Sequence, residues 1–276
     1  MGDAASYSIF DDTMADMTYP EVEQAARDGA LVLWGLGVIE EHGPHLPLGT
    51  DVYLPSATLR LARRRLEERG IRAIIAPAFY WGVNNVTGSF AGSFTVRPET
   101  MRALMVDVFQ SLAKDGFQSV FCFSGQGDAL HNQTMADAIR KGRVQTGIRA
   151  HFVISSGWAQ RLGFDPADPQ FLVYPFDPPR GRFADVHAGN GETSMAWAAC
   201  PGLVRESILR TLPPTNLGPD DLEEWRRGWA NARKKTPLGY LGDPAAADPE
   251  RGRAILAGQA ALVAEVIAKK IESGTP

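Results

Sequence analysis

The stretch ALVLWGLGVIEEHGPHLPLGTD, residues 30–51, decides how this chain is read. Its first seven residues are apolar and are closed by Gly37, the pattern of a strand buried on both faces. In open α/β sheets, ligands gather beyond the carboxyl ends of the strands. This strand delivers Glu40, His42 and His45 to that end, and Asp51 follows shortly after. A carboxylate, an imidazole and a second carboxylate on one loop are donors for a borderline divalent cation such as zinc or manganese. Gly43, Pro44, Pro47 and Gly49 set an unusual backbone path between them, one that folds Asp51 back toward His42.

Working outward, residues 71–76, 119–123 and 150–155 repeat the short apolar run of a buried strand. Residues 54–68, 98–114 and 132–141 read as helices between them, the first two ended by Gly70 and Gly116. Apolar strands alternating with helices predict an α/β fold: a mainly parallel sheet with helices on both faces, a three-layer α/β/α sandwich. Residues 166–182, rich in Pro and Asp, read as a loop or lid. A helix is expected over 191–199 and a turn-rich connector over 212–220. A long last helix is expected over 249–271, with Asp248 as its N-cap and Pro249 at its first position. With no internal repeat, the simplest organisation is one domain over 1–276.

Composition narrows the function. The chain has 276 residues, a formal charge of -4 and no basic run that would track phosphates, which argues against nucleic acid or an anionic membrane as partner. Its two cysteines, Cys122 and Cys200, lack any CxxC spacing and suit a reducing compartment, so a cytoplasmic location is expected. The N-terminal segment has early acidic residues and no apolar core of a signal peptide, and no stretch is long and apolar enough to span a bilayer.

Two further segments carry chemistry. The run 119–123 ends in Ser124-Gly125-Gln126-Gly127-Asp128, so Asp128 is a candidate ligand and Gln126 offers an amide oxygen. Taken alone, Asp128 reads equally well as the acceptor of an Asx-type turn. His187 lies in a Gly-rich turn with Glu192 at the start of the next helix, an arrangement suited to general acid–base work. Trp81 and Trp158 each follow a strand and are candidates for a pocket wall. His131 follows Asp128 closely enough to be weighed as an extra ligand, and His151 reads as a core histidine.

At these residues the chain resembles the creatininase (creatinine amidohydrolase) family. The resemblance begins at residues 17–22 (MTYPEV) and is most specific over 40–51. It continues through 82–93 (GVNNVTGSFAGS), which looks like a G-x-S-x-x-H-x-x-F-P-G-T loop, and 187–194, which looks like an H-A-G-x-x-E-T-S motif. It ends at 241–244 (LGDP) and 251–252 (RG). The family implies an α/β/α sandwich, a homohexamer and a two-metal site of zinc and manganese or of two zincs. Carried over by position, Glu40 would bind one metal and His42 the other, with Asp51 bridging. Asp128 would take the place of a glutamate beside His42, His187 would be the catalytic histidine, and Glu192 the glutamate of the same motif.

Three departures follow from that resemblance. Gln126 replaces a metal-binding histidine, so one tight zinc and a weakened second site for manganese or zinc are expected. Asn84 and Thr87 replace the Ser and His of the pocket loop, so the substrate is expected to differ from creatinine. The leading reading is metal-dependent hydrolysis of a small-molecule amide, expected to be cyclic, by a cytoplasmic homo-oligomer with no nucleic-acid or membrane partner. Two others are hydrolytic carbon–carbon ring opening of a polyhydroxylated cyclic diketone at the same centre, and a metal-binding homologue without catalysis.

Overall fold

The computed structural model describes residues 9–176 and 182–274. The first eight residues, read above for a targeting signal, and the tip of the 166–182 loop lie outside the described residues. In chain order the elements are α1 (Tyr19–Arg27), β1 (Leu31–Leu36), α2 (Thr50–Glu68), β2 (Ala73–Ile75), α3 (Pro98–Lys114) and β3 (Ser119–Ser124). Then come α4 (Ala129–Thr146), β4 (Arg149–Ser155), α5 (Ser156–Leu162), β5 (Phe171–Tyr174) and α6 (Asn190–Ala199). Short helices α7 (Glu206–Leu209), α8 (Pro219–Trp225) and α9 (Ala230–Lys235) lead to α10 (Pro249–Glu272).

The five strands pair in parallel in the order β2-β1-β3-β4-β5, as the alternating pattern predicts. Successive side chains of a strand point to opposite faces, and β1 shows this directly. Val32, Trp34 and Leu36 join the core under α3 and α4, while Leu31 and Leu33 join the core under α2 and α10. The result is the three-layer sandwich, with the carboxyl ends of β1 and β3 side at the centre of the sheet.

Three boundaries differ from the sequence reading. Part of the expected 166–182 loop, Phe171–Tyr174, is the edge strand β5, hydrogen-bonded to β4. Four apolar residues between Pro/Asp-rich flanks are too short a run to stand out. The second helix starts at Thr50 instead of 54, because the turn Pro47–Thr50 closes on itself through the Thr50 amide and hydroxyl and launches the helix early. This shift matters, since it puts Asp51 in the first turn of α2. The helix after β3 also starts earlier than expected, directly after Asp128.

Two glycines let α2 enter so close to the sheet. A Cβ on Gly37, beyond β1, or on Gly125, beyond β3, would collide with the Asp51 carbonyl. Only a residue without a side chain lets the first turn of α2 settle between these strand ends. Asp51 is thereby buried over the carboxyl end of the sheet, 2% exposed. Among the described residues no helix is long and apolar enough to cross a membrane.

Candidate metal centre

The loop after β1 is held at both ends. The Glu40 amide donates to the Leu48 carbonyl and the Glu41 amide to the Ser93 hydroxyl, which turns Glu40, Glu41 and His42 inward. All three are buried. Gly43 adopts φ +65° and donates its amide to Glu41 Oε2, completing the reversal. The second wall is the 187–192 turn. His187 is bridged to Leu241 by backbone hydrogen bonds, and Ala188 takes the left-handed φ of 47° that swings its amide onto the Glu192 carboxylate. His45 joins the two walls by donating Nε2–H to the Thr193 hydroxyl, whose own proton goes to the Ala188 carbonyl.

Two trios of ligand-type atoms result, Glu40–His42–His187 and His42–Asp51–Glu192, each with its atoms within 4.8 Å of one another. His42 Nε2 lies 3.3 Å from Asp51 Oδ1 and 3.7 Å from Glu192 Oε2. His187 Nδ1 lies 3.8 Å from Glu40 Oε1 and 4.0 Å from Glu192 Oε2. The far nitrogen of each ring is committed to a main-chain carbonyl. His42 Nδ1 is 3.1 Å from the Glu40 carbonyl, and His187 Nε2 is 2.8 Å from the Glu41 carbonyl. A carbonyl only accepts, so those nitrogens carry protons, and His42 Nε2 and His187 Nδ1 are the ring nitrogens left facing the carboxylates, where they can hold either a proton or a metal ion. Metal-ligating histidines are held in this way by their surroundings.

The electrostatics agree. Among the described residues no lysine or arginine forms an ion pair with Glu40, Glu41, Asp51 or Glu192. Burial, reinforced by Asp51, pushes Glu40 up to about 8. Burial and Asp51 likewise raise Glu192, against the pull of both imidazoles. Burial opposes charge on His42, yet Glu192 and Asp51 outweigh it and hold its pKa well above the histidine range. For His187, burial and the His42 ring are overcome by Glu41 and Glu40, and the pKa rises to about 9. A buried carboxylate cluster without a cation is costly, and the protons it draws in stand where a cation would sit. His42 Nε2 and Asp51 Oδ2 are buried with no hydrogen-bond partner. The donor set of imidazole nitrogens and carboxylate oxygens fits a zinc- or manganese-type ion.

The structure therefore brings together Glu40, His42, Asp51, His187 and Glu192 of the predicted site. It leaves Gln126 and Asp128 outside both trios. Asp128 is the N-cap of α4: Oδ1 accepts from the Leu130 and His131 amides, and Oδ2 from the Asn85 and Val86 amides. Its four lone-pair positions are all taken. Gln126 spends its amide oxygen on the Asp128 amide. Thr87 and Asn84 serve the centre from behind: the Thr87 hydroxyl donates to Glu40 Oε2 at 2.6 Å, and Asn84 Oδ1 accepts the Thr87 amide. Trp81 stands 44% exposed against Tyr80 and Phe94, and Trp158 lies over Gly127 with the Arg161 guanidinium on its ring. His131 is wholly buried against Gly82, with both ring nitrogens unpartnered.

Glu41 was not singled out from the sequence. Its Oε1 lies 3.3 Å from His187 Nε2, and a Cβ on Gly239 would collide with its carboxylate. Its only signal was the doubled glutamate before His42. Trp225, whose ring lies 5.6 Å from that of His187, was missed for want of any motif around it.

The structure supplies a parallel α/β sandwich with a His/Glu cluster that could hold a metal ion at the carboxyl end of its central strands, and sequence comparison supplies the family. The family model described as creatinine amidohydrolase matches residues 15–267. The chain belongs to the creatininase family, a family of hydrolases. It is 30% identical over 227 residues to the mycofactocin precursor peptide peptidase of Mycobacterium tuberculosis, covering 80% of this chain and 78% of the relative. It is 27% identical over 262 residues to the creatinine amidohydrolase of Pseudomonas putida, covering 91% and 93%. A solved creatinine amidohydrolase (creatininase) structure superposes with a TM-score of 0.71 at 21% identity, over 94% of this chain and 97% of that one, and shows the same fold.

Proposed function

We propose that the protein is a metal-dependent hydrolase of an amide bond in a peptide-like substrate. The observation that carries this is the largely buried cluster of two imidazoles and four carboxylates, to which no cationic side chain is paired among the described residues. Glu40, His42 and Asp51 would hold the metal. A divalent ion there supplies polarisation of a carbonyl and a lowered pKa for water. His187 keeps its Nε2 proton on the Glu41 carbonyl and presents Nδ1 to the cluster; with a divalent ion balancing the carboxylates, Nδ1 would be free to take a proton from water and pass it to the leaving nitrogen. Thr87 fixes the rotamer of Glu40 through its hydroxyl, and Glu41 steadies His187.

The named relatives are a peptidase and an amidohydrolase, which supports C–N cleavage and gives no support to carbon–carbon ring opening or to a non-catalytic role. A peptide-like substrate, instead of the cyclic amide expected from sequence, is favoured by the surroundings of the loop. Leu48, Trp81 and Phe94 are 40%, 44% and 54% exposed beside it, with the Phe94 amide bonded to the Ile39 carbonyl. These apolar side chains suit the flanking residues of a peptide better than they suit a compact polar ring.

The test is a panel of creatinine, simple lactams, an inosose-type diketone and short peptides with apolar termini, assayed with zinc- or manganese-loaded and chelated protein. Peptide hydrolysis that disappears on chelation is expected. Hydrolysis of no amide by metal-loaded protein, or hydrolysis unaffected by chelation, would overturn the proposal.

A further inference from the structure

We infer that the carboxylate completing the metal site at His42 is Glu192, contributed by α6, and that Asp128 on the β3 turn is a structural residue. This rests on the metal-dependent reading above. The argument is geometric. Ligand atoms about 2.0 to 2.2 Å from a tetrahedral ion lie about 3.3 to 3.6 Å from each other. His42 Nε2 to Asp51 Oδ1 is 3.3 Å and His42 Nε2 to Glu192 Oε2 is 3.7 Å, so these two edges are close to those of a coordination polyhedron, and all three ligand-type atoms lie within 4.8 Å of one another. His42 Nε2 and Asp51 Oδ2 are buried without a partner, and Glu192 Oε2 accepts a single amide, from Ala188, which leaves it a lone pair, whereas both oxygens of Asp128 are filled.

Glu192 is also held for this duty. Its carboxylate is pinned by the Ala188 amide, which reaches it only because Ala188 adopts a left-handed φ. A non-glycine residue in that region is uncommon and costs energy. The turn accepts that cost while setting Glu192 Oε2 3.7 Å from His42 Nε2 and 4.0 Å from His187 Nδ1. Asp128 has the opposite character. Four main-chain amides from two segments fill its oxygens, and moving it to a metal would uncap α4 and release residues 85 and 86 together. One nitrogen and two oxygens leave a fourth position for water or substrate, the arrangement of a catalytic centre and not of a closed structural one.

The experiment compares zinc content by plasma mass spectrometry, and zinc affinity by chelator competition, for the full-length protein, Glu192→Gln and Asp128→Asn. Each amide keeps the local hydrogen bonds, since Gln still accepts from Ala188 and Asn is a good N-cap. Thermal melts of the metal-free forms check folding. Zinc affinity is expected to fall at least 100-fold in Glu192→Gln and to stay within threefold in Asp128→Asn. Glu192→Asp, which keeps the charge but shortens the reach, is expected to lose at least tenfold and serves if the Gln variant folds poorly. Unchanged affinity in both Glu192 variants, or zinc lost from Asp128→Asn, would overturn the inference while leaving a metal enzyme. A full-length protein that binds no divalent metal would instead remove the proposed function beneath it.

Discussion

The turn beyond β1 and the turn beyond β3 start from the same kind of place. Each follows a six-residue strand buried along its whole length, each contains glycine, and each presents a carboxylate with a neighbouring nitrogen or amide donor. In the folded chain they do opposite work. Beyond β1, the main chain turns side chains inward and leaves His42 Nε2 and, from the first turn of α2, Asp51 Oδ2 without a partner. Beyond β3, the side chains turn onto the main chain, and Asp128 is filled by amides. A carboxylate is available to a metal only when its lone pairs are not already spent on amides. The difference between the two turns is one of hydrogen-bond saturation, not of residue type.

The sharpest way to break that contrast is to remove His42, which belongs to both trios. His42→Ala is expected to lose bound metal and to lower kcat/KM roughly a thousandfold. Metal content and turnover measured on the same sample check it. Turnover within tenfold of the parent would mean that the loop beyond β1 is not the reacting centre.

On the other side of the comparison, Asp128→Ala is expected to act on stability. It removes the α4 N-cap and strands the Asn85 and Val86 amides, costing about 2 to 3 kcal/mol, whereas Asp128→Asn, which retains a capping oxygen, costs about 1 kcal/mol or less. Urea denaturation of both variants measures this. An Asp128→Ala protein as stable as the parent would show that the amides find other partners and that the turn is not saturated in the way argued. Between these lies Glu41, whose carboxylate steadies His187 and holds the Gly43 amide. Glu41→Gln is expected to keep its metal and its KM while kcat falls about tenfold, as loss of a supporting charge behind a site residue does. A change in metal content without a change in kcat would assign Glu41 to the ligand set instead.

The contrast also explains what could be read from the chain. The sheet and its layers were legible because β1, β3 and β4 are unbroken apolar runs, and because Gly70 and Gly116 mark helix ends. Strand β5 was not, since FLVY is four residues inside a Pro/Asp-rich segment. Glu40, His42 and Asp51 were legible because their types are rare together on one short loop. Asp128 and Gln126 were of suitable types too, but whether a carboxylate faces a cavity or its own main chain depends on backbone direction at Gly125 and Gly127. That direction is set by α2 packing against Gly125, a contact between residues distant in sequence. Glu192 was legible as part of a motif, but its position beside two imidazoles depends on the left-handed turn at Ala188.

The same reasoning extends to a histidine whose charge is set by burial and neighbouring cations. His151 on β4 is buried, stacks on Phe121 with ring centroids 5.5 Å apart, and donates from Nδ1 to the Pro169 carbonyl. Burial pushes its pKa down to about 4, and the charges of Arg143, Lys270 and Arg149 add to that, the reverse of the rise at His187. A folded-state pKa below the unfolded value of about 6.5 means that the unfolded chain takes up the proton first as pH falls. Folding stability from this residue is therefore complete above about pH 6.5 and is lost progressively down to about pH 4. Between pH 7 and pH 5.5 the loss amounts to about 1 kcal/mol. His151→Phe keeps a ring on Phe121 but cannot titrate, so urea denaturation at those two pH values is expected to show a drop about 1 kcal/mol smaller than in the parent. An equal drop in both proteins would mean that His151 is protonated in the folded state, and that the cations around it do not set its charge as the carboxylates around His187 set theirs.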